Sequence, residues 1–344
     1  MKILFFRLGA IGDTLLTTPA VRKAREIFPD AEIHYMAGEA ASEVLKNNKD
    51  IDKIIVLKLA KHFLPREFGI LFAMPFLIRE FGDTEYDYFI DFESSYFSAY
   101  VSFFIHADKK IGHKITSKKR LYLNKLYSTR VDYEDKGQYA ALRHLALIRE
   151  LKPFENADLK LILMISYEEK CEALKYMEKH GLNIRGRKIM LCISSTWKTK
   201  SWPAGYWIEL VGLINERFRS HKIIIMTGPD DPAQLLDSLR ALPNVHVWDP
   251  VDLRPLAALL SCGDVLIAND GAVRHMANAL DIKTIGLFGP TSDTGWAFED
   301  KNNIVLKTGL DCRPCYKPEC PKDLECLKGI KPVIVMEHLA ELLK

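Results

Sequence analysis

Residues 3–19 read ILFFRLGAIGDTLLTTP, and this stretch decides the fold class. Residues 3–8 form an apolar run too short for a helix, so they are expected to be a buried strand. Gly9 and Gly12 then supply backbone freedom for a sharp strand-to-helix reversal, with the helix starting near Asp13. In an open α/β sheet the carboxyl ends of the strands face the ligand crevice, so a side chain on this turn looks into a site. A carboxylate there can take a proton from a substrate hydroxyl. The alternative is that Asp13 only caps the helix, which is worth ~1 kcal/mol.

The rest of the chain repeats the pattern. Residues 32–36, 53–57 and 86–91 are expected strands with helical segments between them, the signature of a parallel sheet covered on both faces. Residues 58–85 hold an apolar segment framed by Lys58, Lys61 and Arg66, either a buried helix or one touching a membrane. Residues 101–130 carry eight Lys or Arg (Lys109, Lys110, Lys114, Lys118, Lys119, Arg120, Lys125, Arg130) against the single acid Asp108. Such a stretch is a solvated loop or a landing place for a phosphorylated partner or an anionic membrane. Helical spacing over 138–151 is followed by a connector at 152–163, and Ser166-Tyr-Glu-Glu169 is a capping box. Strands are expected again at 189–193, 222–226, 264–268 and 283–288. The division is therefore 1–160, 161–330 and a terminal helical piece, 331–344.

The bulk properties agree with two domains. A chain of 344 residues is long for one core, and 48% hydrophobic with 27% charged residues is globular composition. A net charge of +3 with no recognition motif argues against a nucleic-acid binder. Neither a secretory leader nor a membrane span is expected, which places the protein in the cytoplasm.

Turns in the second half fall where strands end. SSTWKTKSWP at 194–203 offers hydroxyls and Lys200 to an anion, and TGPDD at 227–231 offers Asp230 to a ribose or an amine, or as a helix cap. NDGAVRHMANAL at 269–280 places Asp270 and Gly271 before a helix carrying His275, whose free amides can hold phosphate oxygens. GPTS at 289–292 adds a fourth turn. Taken singly, each motif is weak: Asp270 reads first as a cap, and a lone helical His such as His275 is more often structural.

Together LGAIGDTLLTTPA, YDYFIDFESS, KKIGHK, SSTWKTKSWP, TGPDD, NDGAVRH and LFGPTS, in that order, resemble the ADP-heptose:lipopolysaccharide heptosyltransferases of glycosyltransferase family 9, with a tail similar to the heptosyltransferase II branch. The resemblance departs at Ala272 and Arg274, and no Thr or Ser separates Asp270 from Gly271. It implies the GT-B architecture: two Rossmann-like domains with parallel sheets facing an interdomain cleft, acceptor on the first and nucleotide sugar on the second, with the last helix packing back on the first. It implies an inverting glycosyltransferase that moves a heptose or related sugar from ADP-heptose to a phosphorylated lipopolysaccharide inner-core acceptor, in peripheral contact with the inner membrane. Asp13, beside Gly12, would be the general base. Lys200 with Ser195 and Thr196 would contact the diphosphate, Asp230 the nucleoside, and Asp270, Gly271 and His275 the donor sugar and diphosphate. No metal or other cofactor is required. Competing readings are an NAD-linked oxidoreductase with Glu39 on the ribose, which lacks G-x-G-x-x-G, and a non-catalytic sugar-nucleotide or lipopolysaccharide binder.

Cys312, Cys315, Cys320 and Cys326 are spaced C-x2-C-x4-C-x5-C, raising zinc, an iron–sulfur cluster, a local disulfide or reduced thiols. Cys171, Cys192 and Cys262 stand singly in apolar contexts and are expected in the core.

Overall fold

The computed structural model describes residues 1–58, 66–132, 137–182, 186–249 and 251–344, without the side chains of 66–72, 118 and 119. Lys61 thus lies outside the described residues, as do the side chains of Arg66, Lys118 and Lys119. The chain divides into two compact units, Met1–Met164 and Ile165–Lys344.

The first unit holds β1 (Lys2–Arg7), β2 (Glu32–Gly38), β3 (Lys53–Leu57), β4 (Glu85–Asp91), β5 (His106–His113) and β6 (Thr129–Val131). They form one parallel sheet in the order β3-β2-β1-β4-β5-β6. Alternation along β1 explains its unbroken apolar run: Ile3 and Phe5 enter one core cluster, Leu4 and Phe6 the cluster on the opposite face. The residues expected to be a basic loop are instead the end of the helix Tyr96–Phe103, β5, a 3₁₀ stretch Lys118–Leu126 and β6. Lys109 on β5 is exposed and β6 is a three-residue edge strand, so neither carries the hydrophobic signal of a buried strand. The uncertain apolar segment is the helix Arg66–Phe81, where Ala73, Leu77 and Phe81 are buried while Ile78 stays exposed.

The second unit repeats the plan with β7 (Lys188–Cys192), β8 (Lys222–Met226), β9 (Val245–Trp248), β10 (Val265–Asn269), β11 (Lys283–Leu287) and β12 (Asn303–Leu306), ordered β12-β11-β10-β7-β8-β9 and all parallel. The helix Tyr167–Lys179 opens with the capping box anticipated at Ser166 and Glu169. The short strands β9 and β12 were not anticipated. The final helix, Pro332–Leu342, lies within the second unit: Val335, Leu339 and Leu342 join its core, and Lys283 Nζ donates to the Leu342 carbonyl at 2.6 Å.

Each sheet has the 3-2-1-4-5-6 order of dinucleotide-binding folds, and each reverses direction once, between β1 and β4 and between β7 and β10. Ligands of open parallel sheets bind at such switch points. Among the described residues, no helix is long and apolar enough to cross a membrane.

Candidate functional site

At the first switch point the helix Ile11–Leu15 begins two residues before Asp13, with Ala10 as its N-cap and no side-chain cap. The capping alternative for Asp13 therefore falls. Its carboxylate instead accepts from Arg7 at 2.6 Å, Nη2 to Oδ2. Gly12 lies buried inside this short helix. Gly9 and Gly12 are not among the residues with left-handed φ. What Gly9 provides is room, since a Cβ there would stand 3.1 Å from Arg7 Nε. Gly38, at the end of β2, is held closer still: a Cβ would lie 2.7 Å from the Leu8 carbonyl oxygen.

Glu93, two residues past β4, closes this turn. Its Oε2 accepts from the Leu8 and Gly9 amides at 3.0 and 3.2 Å, and lies 3.8 Å from Arg7 Nε. Burial would lower the affinity of Arg7 for its proton, but Asp13 and Glu93 outweigh burial and raise it. Beneath, Asp91 is wholly buried and accepts from Ser98 at 2.6 Å, from Tyr127 at 2.5 Å and from the Glu93 and Ser94 amides. Burial pushes its carboxyl upward against those hydrogen bonds. His113 is lowered to about 3, by burial first and then by Arg143, Arg130 and Arg7, so it is neutral at pH 7.

At the second switch point, β7 leads to Lys200 and β10 to Asp270. The parallel register brings these two, seventy residues apart, into a 2.9 Å ion pair. Thr291, in the GPTS turn after β11, donates to the same Oδ2 at 2.8 Å, and Arg274 stands 3.7 Å from Oδ1. Asp270 is 5% exposed. Burial pushes its carboxyl up, but Arg274 and Lys200 overcome that and hold it below the usual range. Asp270 is thus no cap: Gly271 is the N-cap of the helix Ala272–Ala279, and no side chain satisfies that helix start. His275, on the same helix, is buried and lowered to about 3, by burial and then by Arg274. It is a neutral imidazole, 3.3 Å from the Arg274 guanidinium.

Other expected residues stand apart from this cluster. Ser195 donates to the Trp197 carbonyl at 3.1 Å, and Thr196 is exposed. Asp230 is exposed and caps nothing; its neighbour Asp231 makes the contacts, accepting from Gly228 N at 2.7 Å and from Ser194 Oγ. Sequence reasoning passed over Arg7, Glu93, Asp231 and Thr291. A signal existed for Glu93, since a carboxylate just beyond a strand end occupies the same edge as Asp13.

All seven cysteines are free thiols, so the tail holds no disulfide. Cys312, Cys315, Cys320 and Cys326 line one cavity of about 20 Å³. Among the described residues no group of three His, Cys, Asp or Glu could hold a metal. Cys192 is buried as expected, whereas Cys171 and Cys262 are only half-buried.

The model of glycosyltransferase family 9 (heptosyltransferase) matches residues 75–325, most of the chain and both switch points' later strands. The chain belongs to glycosyltransferase family 9. Its relatives include lipooligosaccharide heptosyltransferase 2 of Campylobacter jejuni, 24% identical with 100% of this chain and 99% of the relative aligned. Among solved structures, a family 9 glycosyltransferase from Veillonella parvula superposes with a TM-score of 0.83 at 23% identity, covering 99% of this chain and 97% of that one. An Escherichia coli heptosyltransferase bound to ADP-2-deoxy-2-fluoro heptose follows with a TM-score of 0.72 at 18% identity, covering 99% of each chain. As in those relatives, this family 9 enzyme is built of two α/β domains with parallel sheets, the GT-B plan.

Proposed function

We propose that this family 9 glycosyltransferase transfers a heptose from ADP-heptose to a phosphorylated lipopolysaccharide inner-core acceptor, with inversion at the anomeric carbon. The observation that carries the donor half is Lys200, 17% exposed, poised over Asp270 beside an uncapped helix start. An ammonium and free backbone amides at one switch point suit a diphosphate. The names of the relatives, heptosyltransferases acting on lipopolysaccharide or lipooligosaccharide, supply the sugar and acceptor class.

In the reaction Asp13 takes the proton of an acceptor hydroxyl as its oxygen bonds to the anomeric carbon. The bond from that carbon to the diphosphate oxygen breaks, and ADP departs with the electron pair. Lys200 and the amides at Ala272 and beyond stabilise the charge gathering on the leaving phosphate. Neutral His275 and Asp270 hold Lys200 and the sugar in place, Ser195 and Thr196 close on the phosphates, and Asp230 reaches the nucleoside. With the leaving charge assigned to these donors, the step is written without a metal. One displacement reverses the anomeric configuration.

The acceptor is anchored in lipid, and we place the enzyme at the cytoplasmic face of the inner membrane. Supporting this, Phe103 is 70% and Tyr122 57% exposed, Tyr100 and Tyr122 share a 3.0 Å hydroxyl contact, and Arg120 lies 4.2 Å over Tyr96. An aromatic and basic surface of this kind suits an anionic interface. The test of the function is incubation with ADP-heptose and truncated lipopolysaccharide acceptors, following product mass and anomeric configuration. ADP binding without any heptosylated product, or a product with retained configuration, overturns the reading.

A further inference from the structure

We infer that Arg7 and Glu93 form a brace that positions Asp13 for proton transfer, an inference that rests on Asp13 being the base. Three observations carry it. Arg7 grips only Oδ2 of Asp13, at 2.6 Å, and among the described residues Oδ1 accepts no hydrogen bond, so one oxygen is pinned while the other is left to take a proton. The guanidinium cannot swing freely, because Nη1 donates to the Phe92 carbonyl at 3.0 Å and its side chain is only 12% exposed. Glu93 faces the same guanidinium at 3.8 Å and is itself locked by the Leu8 and Gly9 amides at 3.0 and 3.2 Å.

The arrangement is a row of charges, minus, plus, minus, laid across the junction of β1 and β4. Its logic is electrostatic as well as geometric. A base paired with a lone guanidinium would be weakened, since the cation favours the deprotonated form. Glu93 attracts the same guanidinium from its other side at 3.8 Å, so Arg7 is held between two carboxylates and stays aimed at Asp13. The backbone ties make the same carboxylate set the glycine turn on which Asp13 stands. Two nearly buried partners of opposite sign, neither of which need touch the sugar, account for a charge set that a surface ion pair would not require.

The test uses the full-length enzyme and compares Arg7→Met, Arg7→Lys, Glu93→Gln and Asp13→Asn in heptose transfer, with the melting temperature and ADP affinity of each measured alongside. Arg7→Met is expected to lose roughly 10- to 100-fold in kcat with little change in the KM for ADP-heptose, since misplacing a reacting group by about 1 Å costs on that scale. Arg7→Lys recovers only part, because an ammonium lacks the two-pronged grip. Glu93→Gln is expected to lose kcat in the same way but less, and a fall in kcat at unchanged KM that Arg7→Lys partly rescues is a split that a merely structural role does not produce. If Asp13→Asn retains turnover, the assignment of the base fails. If Asp13→Asn is inactive while Glu93→Gln and Arg7→Met keep the wild-type kcat, the brace is refuted and the base stands. Should Arg7→Met fail to fold, the near-isosteric Glu93→Gln decides the matter by whether its kcat falls while its KM for ADP-heptose holds.

Discussion

Replacing Lys200 with Met separates its two duties, holding Asp270 and holding a diphosphate. In the folded enzyme the pair is 2.9 Å apart, with the lysine 17% and the aspartate 5% exposed. Removing one partner from a pair this buried typically costs 3–5 kcal/mol, because the other charge is left behind. Here Thr291 at 2.8 Å and Arg274 at 3.7 Å stay on Asp270, so about 2–3 kcal/mol is the expected loss of stability. The binding loss has a ceiling of ~4 kcal/mol, the attraction of two unit charges at 4 Å and an effective dielectric of 20. Because a bound diphosphate must compete with Asp270 for the ammonium, the net loss is nearer ~1.5–3 kcal/mol, or 10- to 100-fold in the Kd for ADP. The pH dependence has a definite sign. Asp270 is held below its ordinary value, so its contribution is present above about pH 4 and fades as acid protonates it; weakening its partners in Lys200→Met makes acid unfolding begin at higher pH. Calorimetric titration with ADP and urea melts between pH 3 and 7 measure both effects. Adding Asp270→Asn should restore stability without restoring affinity. An unchanged Kd for ADP in Lys200→Met refutes the assignment of Lys200 to the diphosphate.

Three further outcomes follow from the geometry. Gly38→Ala puts a Cβ within 2.7 Å of the Leu8 carbonyl oxygen and should destabilise by about 1–3 kcal/mol while lowering turnover, since the displaced backbone is the glycine turn itself; urea melts and rate measurements read the two effects. His275 is lowered to about 3 in the fold against an ordinary 6.5, so the unfolded chain binds its proton first and stability falls as pH drops from 6.5 toward 3, by an upper bound of roughly 5 kcal/mol; His275→Gln should flatten that part of the stability profile. Phe103→Ser with Tyr122→Ser should reduce sedimentation with vesicles containing acidic phospholipid several-fold and leave binding of ADP unchanged; equal sedimentation by the double variant removes that surface from membrane contact.

The sequence alone determined what depends on near neighbours along the chain. The apolar run of β1, the capping box at Ser166 and Glu169 and the strand-turn-helix rhythm are all local, and each is in place. Strands buried on both faces announce themselves, whereas β5 carries an exposed lysine and β6 is a three-residue strand at the sheet edge, so the pattern fades. The motifs also located both switch points, since Asp13, Lys200 and Asp270 lie in the segments that follow β1, β7 and β10. Tertiary structure alone decided the partners. That Asp231 meets Ser194, that Glu93 closes the glycine loop and that Lys200 finds Asp270 are outcomes of strand order and register, while Asp13 meets Arg7 because the chain bends back between them. A parallel sheet puts the carboxyl ends of strands far apart in sequence side by side, and electrostatic energy depends on that distance in space, which no spacing along the chain encodes.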